Sequence, residues 1–191
     1  MKILEKFDGT RPDNSAEFKH DPIPEKGSKE RNEIIVPHIS HSMSPAEILR
    51  EDYPSHDWPV SGGWGYTRED ACVIELDSEE EGVAFEHTFM QYRAYEELIV
   101  FRPSYSRYSG IDVKMEFQAL IKDGDRHYDK VTYHVTAFRD ADWEFLKKDW
   151  EEHDSYKDDP DGLRRHLDMK KRLAVHYTTW GWFDITRFFG K

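Results

Sequence analysis

Two alternating segments on either side of a tight turn constrain the fold more than any other feature of the chain. Apolar residues alternate with polar ones over residues 113–119 and again over residues 131–137, which is typical of strands with one buried face. The pair Asp123-Gly124 lies between the two segments and favours the short turn of a β-hairpin. The sequence therefore predicts an antiparallel hairpin over about residues 111–138.

Helical segments precede and follow this hairpin. Ser78 and Glu81 form a capping box at the start of the longest one, and its apolar residues recur every three or four positions, as on one face of a helix. Ser44-Pro45 begins a shorter helix, Asp140 begins a third, and residues 163–174 form a basic fourth. Strands mixed with helices in this order predict an α+β fold, a small antiparallel sheet with helices packed on one face.

The chain divides into two parts of different character. Residues 1–33 contain glycine and proline among charged residues, with few apolar positions, and predict an irregular N-terminal arm. Residues 34–191 contain all the strong helix and strand signals, and we predict that they form a single α+β domain.

Composition excludes several classes of protein. The mean hydropathy of −0.88 is low, but aromatic residues make up 14% of the chain, which favours a folded domain over a disordered one. No apolar run is long enough for a membrane-spanning helix and the first residues do not resemble a signal peptide. The single cysteine, Cys72, lies in an apolar run and predicts an inert buried thiol, so we expect a cytoplasmic protein.

The charge of the chain indicates which partners it favours. There are 27 Lys and Arg residues against 39 Asp and Glu residues, a net charge of −12. A negative surface repels nucleic acids and anionic membranes but attracts basic proteins, whose capture it accelerates. The charge is uneven, because residues 162–191 contain seven Lys and Arg residues against two Asp residues.

The first functional hypothesis is therefore an interaction protein that binds a basic partner, as an immunity protein or an antitoxin binds its toxin. A loop rich in glycine and aromatic residues provides exposed aromatic contacts in this hypothesis, and the acidic side of the third helix provides the charge. The predicted contact residues are Trp58, Trp64 and Tyr66 in the loop, and Glu144, Glu151 and Glu152 on the helix.

A short motif supports an enzymatic alternative. Four histidines are followed two positions later by Ser or Thr, at His38, His134, His153 and His176. On a strand, residues two apart share a face, so an imidazole and a hydroxyl can contact one substrate group.

The segment Tyr133–Phe138, which contains His134 and Thr136, resembles the His-apolar-Thr motif of the two-histidine phosphoesterases. The resemblance implies phosphodiester cleavage, with His134 and a second histidine as general acid and base, and with hydroxyls that hold the phosphate. His38, with Ser40, is the candidate for the second motif.

Other sites are not supported. His38 and His41 lack further metal ligands, and the glycine-rich loop over residues 61–65 lacks the Lys that a phosphate-binding loop requires. We therefore predict no metal and no cofactor. A third hypothesis is a structural subunit of a homo-oligomer, which would associate through an exposed aromatic strip of Phe183, Phe188 and Phe189. The sequence alone favours the interaction protein over an enzyme.

Overall fold

A five-stranded mixed sheet and four α-helices make up most of the part of the chain that the computed structural model describes. That part consists of Ile34 and residues 36–191, together with a two-residue strand at Ile3–Leu4. The rest of the predicted N-terminal arm lies outside the described residues, so the division at residue 33 stays a prediction.

The strands and helices follow one another in a mixed order along the chain. The strands are β1 (Ile3–Leu4), β2 (His38–Ile39), β3 (Val60–Gly62), β4 (Cys72–Ile74), β5 (Tyr108–Asp123), β6 (Arg126–Arg139) and β7 (Val175–Asp184). The helices are α1 (Pro45–Asp52), α2 (Glu79–Tyr95), α3 (Asp140–Glu152) and α4 (Pro160–Leu173). A π-helical turn, Glu96–Val100, extends α2, and short 3₁₀ turns lie at Ser104–Ser106 and Asp154–Tyr156.

The sheet confirms the predicted α+β class. Its strand order is β3-β4-β7-β6-β5, and every neighbouring pair is antiparallel except β4 and β7, which are parallel. β1 and β2 form a separate parallel pair. Among the described residues, no helix is long and apolar enough to cross a membrane.

The predicted hairpin is formed by β5 and β6. Gly124 has a φ of +60° and occupies the first central position of the two-residue turn, where the geometry of a type II′ turn requires a positive φ. The pairing shifts between Met115 and Phe117, so this β-bulge changes which β5 side chains share a face with β6 beyond it. Phe117 lies opposite Thr132 as a result.

The structure adds a strand that the sequence analysis does not predict. β7 lies between β4 and β6 at the centre of the sheet, and it comes from the C-terminal segment that contains Phe183 of the predicted aromatic strip. Its buried side chains alternate with accessible ones, with Val175, Tyr177 and Phe183 buried and His176 and Thr178 on the other face.

The two faces of the sheet have different surroundings. One face, here called the helix face, packs against α2; its buried residues include Val131, Tyr133 and Val135 of β6. The other, here called the open face, carries the side chains that alternate with them. Among the described residues, apolar side chains of α3 and α4 cover its end at Phe138. The middle of the open face, where His134, Thr136 and Thr178 are partly or fully exposed, is the part of the described sheet that is accessible to a ligand.

The C-terminal aromatic residues do not form the predicted exposed strip. Phe183 and Phe188 are fully buried in the main core, and Phe189 stacks on His127 with their ring centroids 4.1 Å apart. The prediction of an exposed aromatic strip is therefore wrong. Apolar burial draws Phe183 and Phe188 into the core, and Phe189, which is 38% exposed, is the one ring of the three at the surface.

A pair of buried carboxyl groups lies between α2 and β6. Glu86 and Asp129 are 2% and 4% exposed, and Asp129 accepts a hydrogen bond from Gln118. Burial, together with the neighbouring Asp129, raises the pKa of Glu86 to about 9. The pair thus keeps a proton at neutral pH, because two adjacent buried carboxylates repel each other.

This pair predicts a pH-dependent cost to stability. From the ordinary pKa of 4.5 up to about 9, the unfolded chain loses the Glu86 proton while the folded chain keeps it. Wild-type stability therefore falls as pH rises, by at most about 1.4 kcal/mol per pH unit. In Glu86→Gln this contribution is absent, and the variant gains about 2.5 kcal/mol over wild type between about pH 5 and about pH 7. Urea unfolding at both pH values measures the difference.

Glu80→Gln is the control, because Glu80 is exposed on the same helix, and it should show no such gain in stability. An equal gain in both variants contradicts the assignment of the effect to Glu86.

Candidate functional site

Two of the four His-x-Ser/Thr motifs lie side by side on the open face. His134 and Thr136 belong to β6, and His176 and Thr178 belong to the adjacent β7. The register pairs His134 with Thr178 and Thr136 with His176. Because the strands are antiparallel, each histidine lies opposite the hydroxyl residue of the other motif. The result is a crossed arrangement with two imidazoles and two hydroxyl groups, here called the crossed histidine site.

The two imidazoles contact each other directly. Nε2 of His134 lies 3.2 Å from Nδ1 of His176, and Oγ1 of Thr136 lies 3.1 Å from the same Nδ1. The rings are stacked with their centroids 5.0 Å apart. In a hydrogen bond between two imidazole nitrogens, one must donate and the other must accept. The pair therefore shares a single proton along this contact.

The environment distinguishes the two histidines. Burial lowers the pKa of His176, and the neighbouring His134 lowers it further, so His176 favours the neutral form. Nδ1 of His134 lies 3.9 Å from a carboxylate oxygen of Glu116, which offers the imidazolium form of His134 an ion-pair partner. A histidine that favours the neutral form suits the role of a base, and the adjacent imidazole with a carboxylate neighbour suits that of a proton donor.

An aromatic row lies next to the crossed histidine site. Phe117 of β5, Thr132 of β6 and Trp180 of β7 are aligned across the sheet, two residues along β6 from His134, or about 7 Å. Phe117 is 64% exposed and Trp180 is 43% exposed. Lys130 lies in the following row, with its Nζ 5.7 Å from the centre of the Trp180 ring. A flat apolar surface with a cation thus adjoins the polar cluster.

His38 is not part of this site. Its ring stacks on Tyr66 with centroids 3.9 Å apart, and the Tyr66 hydroxyl donates a hydrogen bond to the buried Glu97. Tyr177 also donates to Glu97, which places this group on the helix-face side of β7. His176 alternates with Tyr177 and lies on the opposite face.

The predicted pairing of His38 with His134 is therefore wrong. The second motif is His176 with Thr178, which the sequence contains as one of the four matches. Ser40, the predicted partner of His38, is exposed. Only the register of β6 and β7 distinguishes His176 from His38 as the neighbour of His134, because their motifs share the same His-apolar-Ser/Thr pattern in the sequence.

The aromatic loop residues predicted as exposed contacts are buried. Trp58, Trp64 and Tyr66 are 1%, 5% and 7% exposed. The indole nitrogen of Trp58 donates to the backbone oxygen of Tyr53, and Tyr66 is held by Glu97. Their predicted exposure is wrong, because the loop packs these rings into the main core.

The acidic residues of α3 are on the surface. Glu144, Glu151 and Glu152 are all exposed, and two aromatic side chains of the same helix, Phe145 and Trp150, are 50% and 37% exposed. The sequence predicts no surface role for these two aromatic positions.

The described residues contain no candidate metal site, and comparisons with known proteins find no match. Within residues 34 and 36–191, no three His, Cys, Asp or Glu side chains are grouped so that they could hold a metal ion. No protein-family model, curated protein or solved structure matches the chain. Its function therefore has to be argued from its own residues.

The contact with His134 predicts a pKa of His176 that depends on its neighbour. We expect the pKa of His176 in the wild-type protein to lie below 6.5, because of burial and of the adjacent His134. His134→Ala removes the neighbouring ring and opens the site to water, so the pKa of His176 should rise. NMR titration of the imidazole nitrogens measures both values. His127→Ala, a histidine that stacks on Phe189, should leave the pKa of His176 unchanged; an unchanged value in His134→Ala would contradict the coupling.

Proposed function

We propose that the protein cleaves a small phosphodiester, with His134 and His176 as its acid–base pair. The observation that carries this proposal is the crossed register, in which each histidine lies opposite the threonine of the other motif. Two imidazoles with two hydroxyl groups supply a proton donor, a proton acceptor and hydrogen-bond donors for phosphate oxygens within one small area.

The proposed reaction divides the roles between the two histidines. His176, whose lowered pKa favours the neutral form, accepts a proton from a water molecule, and the water oxygen forms a bond to phosphorus. The bond from phosphorus to the leaving oxygen breaks, and His134 donates its proton to that oxygen. Thr136 and Thr178 donate hydrogen bonds to the phosphate, which replaces the direct contact between the imidazoles. The steps use side chains alone and draw on no metal or cofactor.

The surroundings of the site favour a small substrate over a polymer. A net charge of −12 repels a long polyanion, whereas a single phosphodiester carries one negative charge. The exposed rings of Phe117 and Trp180 offer a flat surface for an aromatic substituent of the ester. A free, buried thiol at Cys72 is compatible with a reducing compartment, and we place the reaction in the cytoplasm.

A second candidate is the interaction protein that binds a basic partner. It is favoured by α3, where Glu144, Glu151 and Glu152 lie on the same helix as the exposed Phe145. Glu144 and Glu152 pair with Lys147 and Lys148, but exposed pairs of this kind are weak and leave the carboxylates able to exchange partners. An immunity protein or antitoxin would use this surface to contact a basic partner.

Hydrolysis of a chromogenic diester tests the first candidate. We expect the wild-type protein to hydrolyse bis(p-nitrophenyl) phosphate, with a bell-shaped dependence of kcat/KM on pH. His134→Ala and His176→Ala should each lower kcat/KM by about 100-fold or more, the usual contribution of a general acid or base.

His38→Ala is the matched control, because it removes a histidine of the same motif type whose ring stacks on Tyr66, whereas His134 and His176 contact each other. It should retain wild-type activity. Absence of hydrolysis above the buffer rate, or an equal loss in His38→Ala, rejects the proposal. Circular dichroism shows whether each variant is folded.

Charge reversal tests the second candidate. The triple variant Glu144→Lys/Glu151→Lys/Glu152→Lys should weaken capture of a basic partner at least about tenfold, and salt should weaken capture by the wild type. Affinity capture over a series of salt concentrations measures both effects. Glu79→Lys/Glu80→Lys/Glu81→Lys makes the same charge change at the exposed start of α2 and should have little effect. Equal losses in the two triple variants would show that only the overall charge matters.

A further inference from the structure

A second cluster of titratable side chains lies between α3 and α4, away from the crossed histidine site. Asp149 accepts hydrogen bonds from the Tyr156 hydroxyl and from Nδ1 of His166, each at 2.7 Å. His153 stacks on Tyr156, with Nδ1 of the histidine 3.1 Å from its hydroxyl. Although burial acts to raise the pKa of Asp149, the hydrogen bonds from His166 and Tyr156 hold it below the ordinary value. The Asp149 carboxylate is thus ionised and is held by the hydrogen bonds from Tyr156 and His166.

The backbone that delivers Tyr156 to this cluster is strained. Asp154, Ser155 and Tyr156 have φ values of +50°, +60° and +55°, and none of them is glycine. Side chains on residues in the left-handed region crowd the backbone, so three consecutive non-glycine residues there raise the energy of the folded state. Strain of this kind is concentrated at ligand clamps and active sites, where the rest of the structure holds it in place.

The cluster forms one side of a cavity of about 770 Å³. Three basic side chains of α4 also line this cavity, Arg165, Lys171 and Arg172, against two carboxylates, Asp149 and Asp168. Asp149 already accepts hydrogen bonds from Tyr156 and His166, so it is occupied within the cluster. The cavity therefore presents an excess of positive charge in a protein that is acidic overall.

Arg165 is only weakly engaged elsewhere. Its guanidinium lies 3.6 Å from a carboxylate oxygen of Asp159, and both side chains are largely exposed. A pair of this kind contributes little and can be exchanged for a better partner. The planar guanidinium groups of Arg165 and Arg172 are suited to oxyanions, to which they can donate two parallel hydrogen bonds.

We propose that the cavity between α3 and α4 is a binding site for a small phosphorylated ligand, held by Arg165, Lys171 and Arg172. The cluster of Asp149, His153, Tyr156 and His166 forms one wall of this site. The turn over residues 154–156 carries the Tyr156 hydroxyl to Asp149 in that wall. This site is independent of the crossed histidine site and does not rest on the hydrolytic proposal.

Titration with inorganic pyrophosphate tests the site. The titration uses the His134→Ala/His176→Ala double variant, so that phosphate binding at the crossed histidine site does not contribute. Isothermal titration calorimetry at constant salt should give saturable binding of one pyrophosphate per chain. Arg172→Ala in the same background should weaken binding about tenfold. Arg172→Lys keeps the positive charge but cannot donate two parallel hydrogen bonds to one oxyanion, so it should weaken binding less.

Lys148→Ala is the matched control, because it removes one positive charge from α3 at an exposed position outside the cavity. It should leave pyrophosphate affinity within about twofold of the parent. Inorganic phosphate, sulfate and citrate in parallel titrations distinguish a phosphate site from a general anion site, and tight binding of citrate would overturn the phosphate assignment. No saturable binding, or equal weakening in Arg172→Ala and Lys148→Ala, overturns the proposal.

Discussion

Arg93 is fully buried, and its guanidinium joins three parts of the molecule that are distant in sequence. It donates hydrogen bonds to the backbone oxygens of Trp64 and Trp180 and to the hydroxyl of Thr179, each at 2.8 Å. Its Nε lies 3.3 Å from a carboxylate oxygen of Glu97. A buried charge without such partners would be very costly, so α2, the aromatic loop and β7 have to keep their mutual positions.

The same network decides which way β7 faces. A π-helical turn, Glu96–Val100, follows α2, and both Glu96 and Glu97 are buried in it. Single π-helical turns are frequent at functional sites. Glu97 accepts hydrogen bonds from the hydroxyls of Tyr66 and Tyr177. With Tyr177 held on the helix face, strand alternation directs His176 and Thr178 to the open face. The crossed histidine site is thus a consequence of a buried ion pair on the other side of the sheet.

Local signals were sufficient for the elements that are built from neighbouring residues. The hairpin of β5 and β6 follows from alternation around Gly124, and the start of α1 follows from the capping box of Ser44 and Glu47, which the structure contains. β7 alternates apolar and polar residues only over its first four positions, 175–178, and Thr179 and the aromatic residues after it break the pattern, so periodicity gives little sign of the strand. Its aromatic content instead suggested a surface strip. Its place at the sheet centre depends on partners about 40 residues earlier, for β6, and more than 100 residues earlier, for β4.

The sequence by itself determined the α+β class, the hairpin and the motif at His134, because periodicity, turns and short motifs are local properties. Only the tertiary structure decided that His176, and not His38, is the neighbour of His134. It also decided that the loop around Trp64 is buried while Phe145 of α3 is exposed. The physical reason is the same in each case. Which side chains meet depends on strand register and on the burial of distant segments against one another, and a one-residue change in register would turn each side chain to the other face.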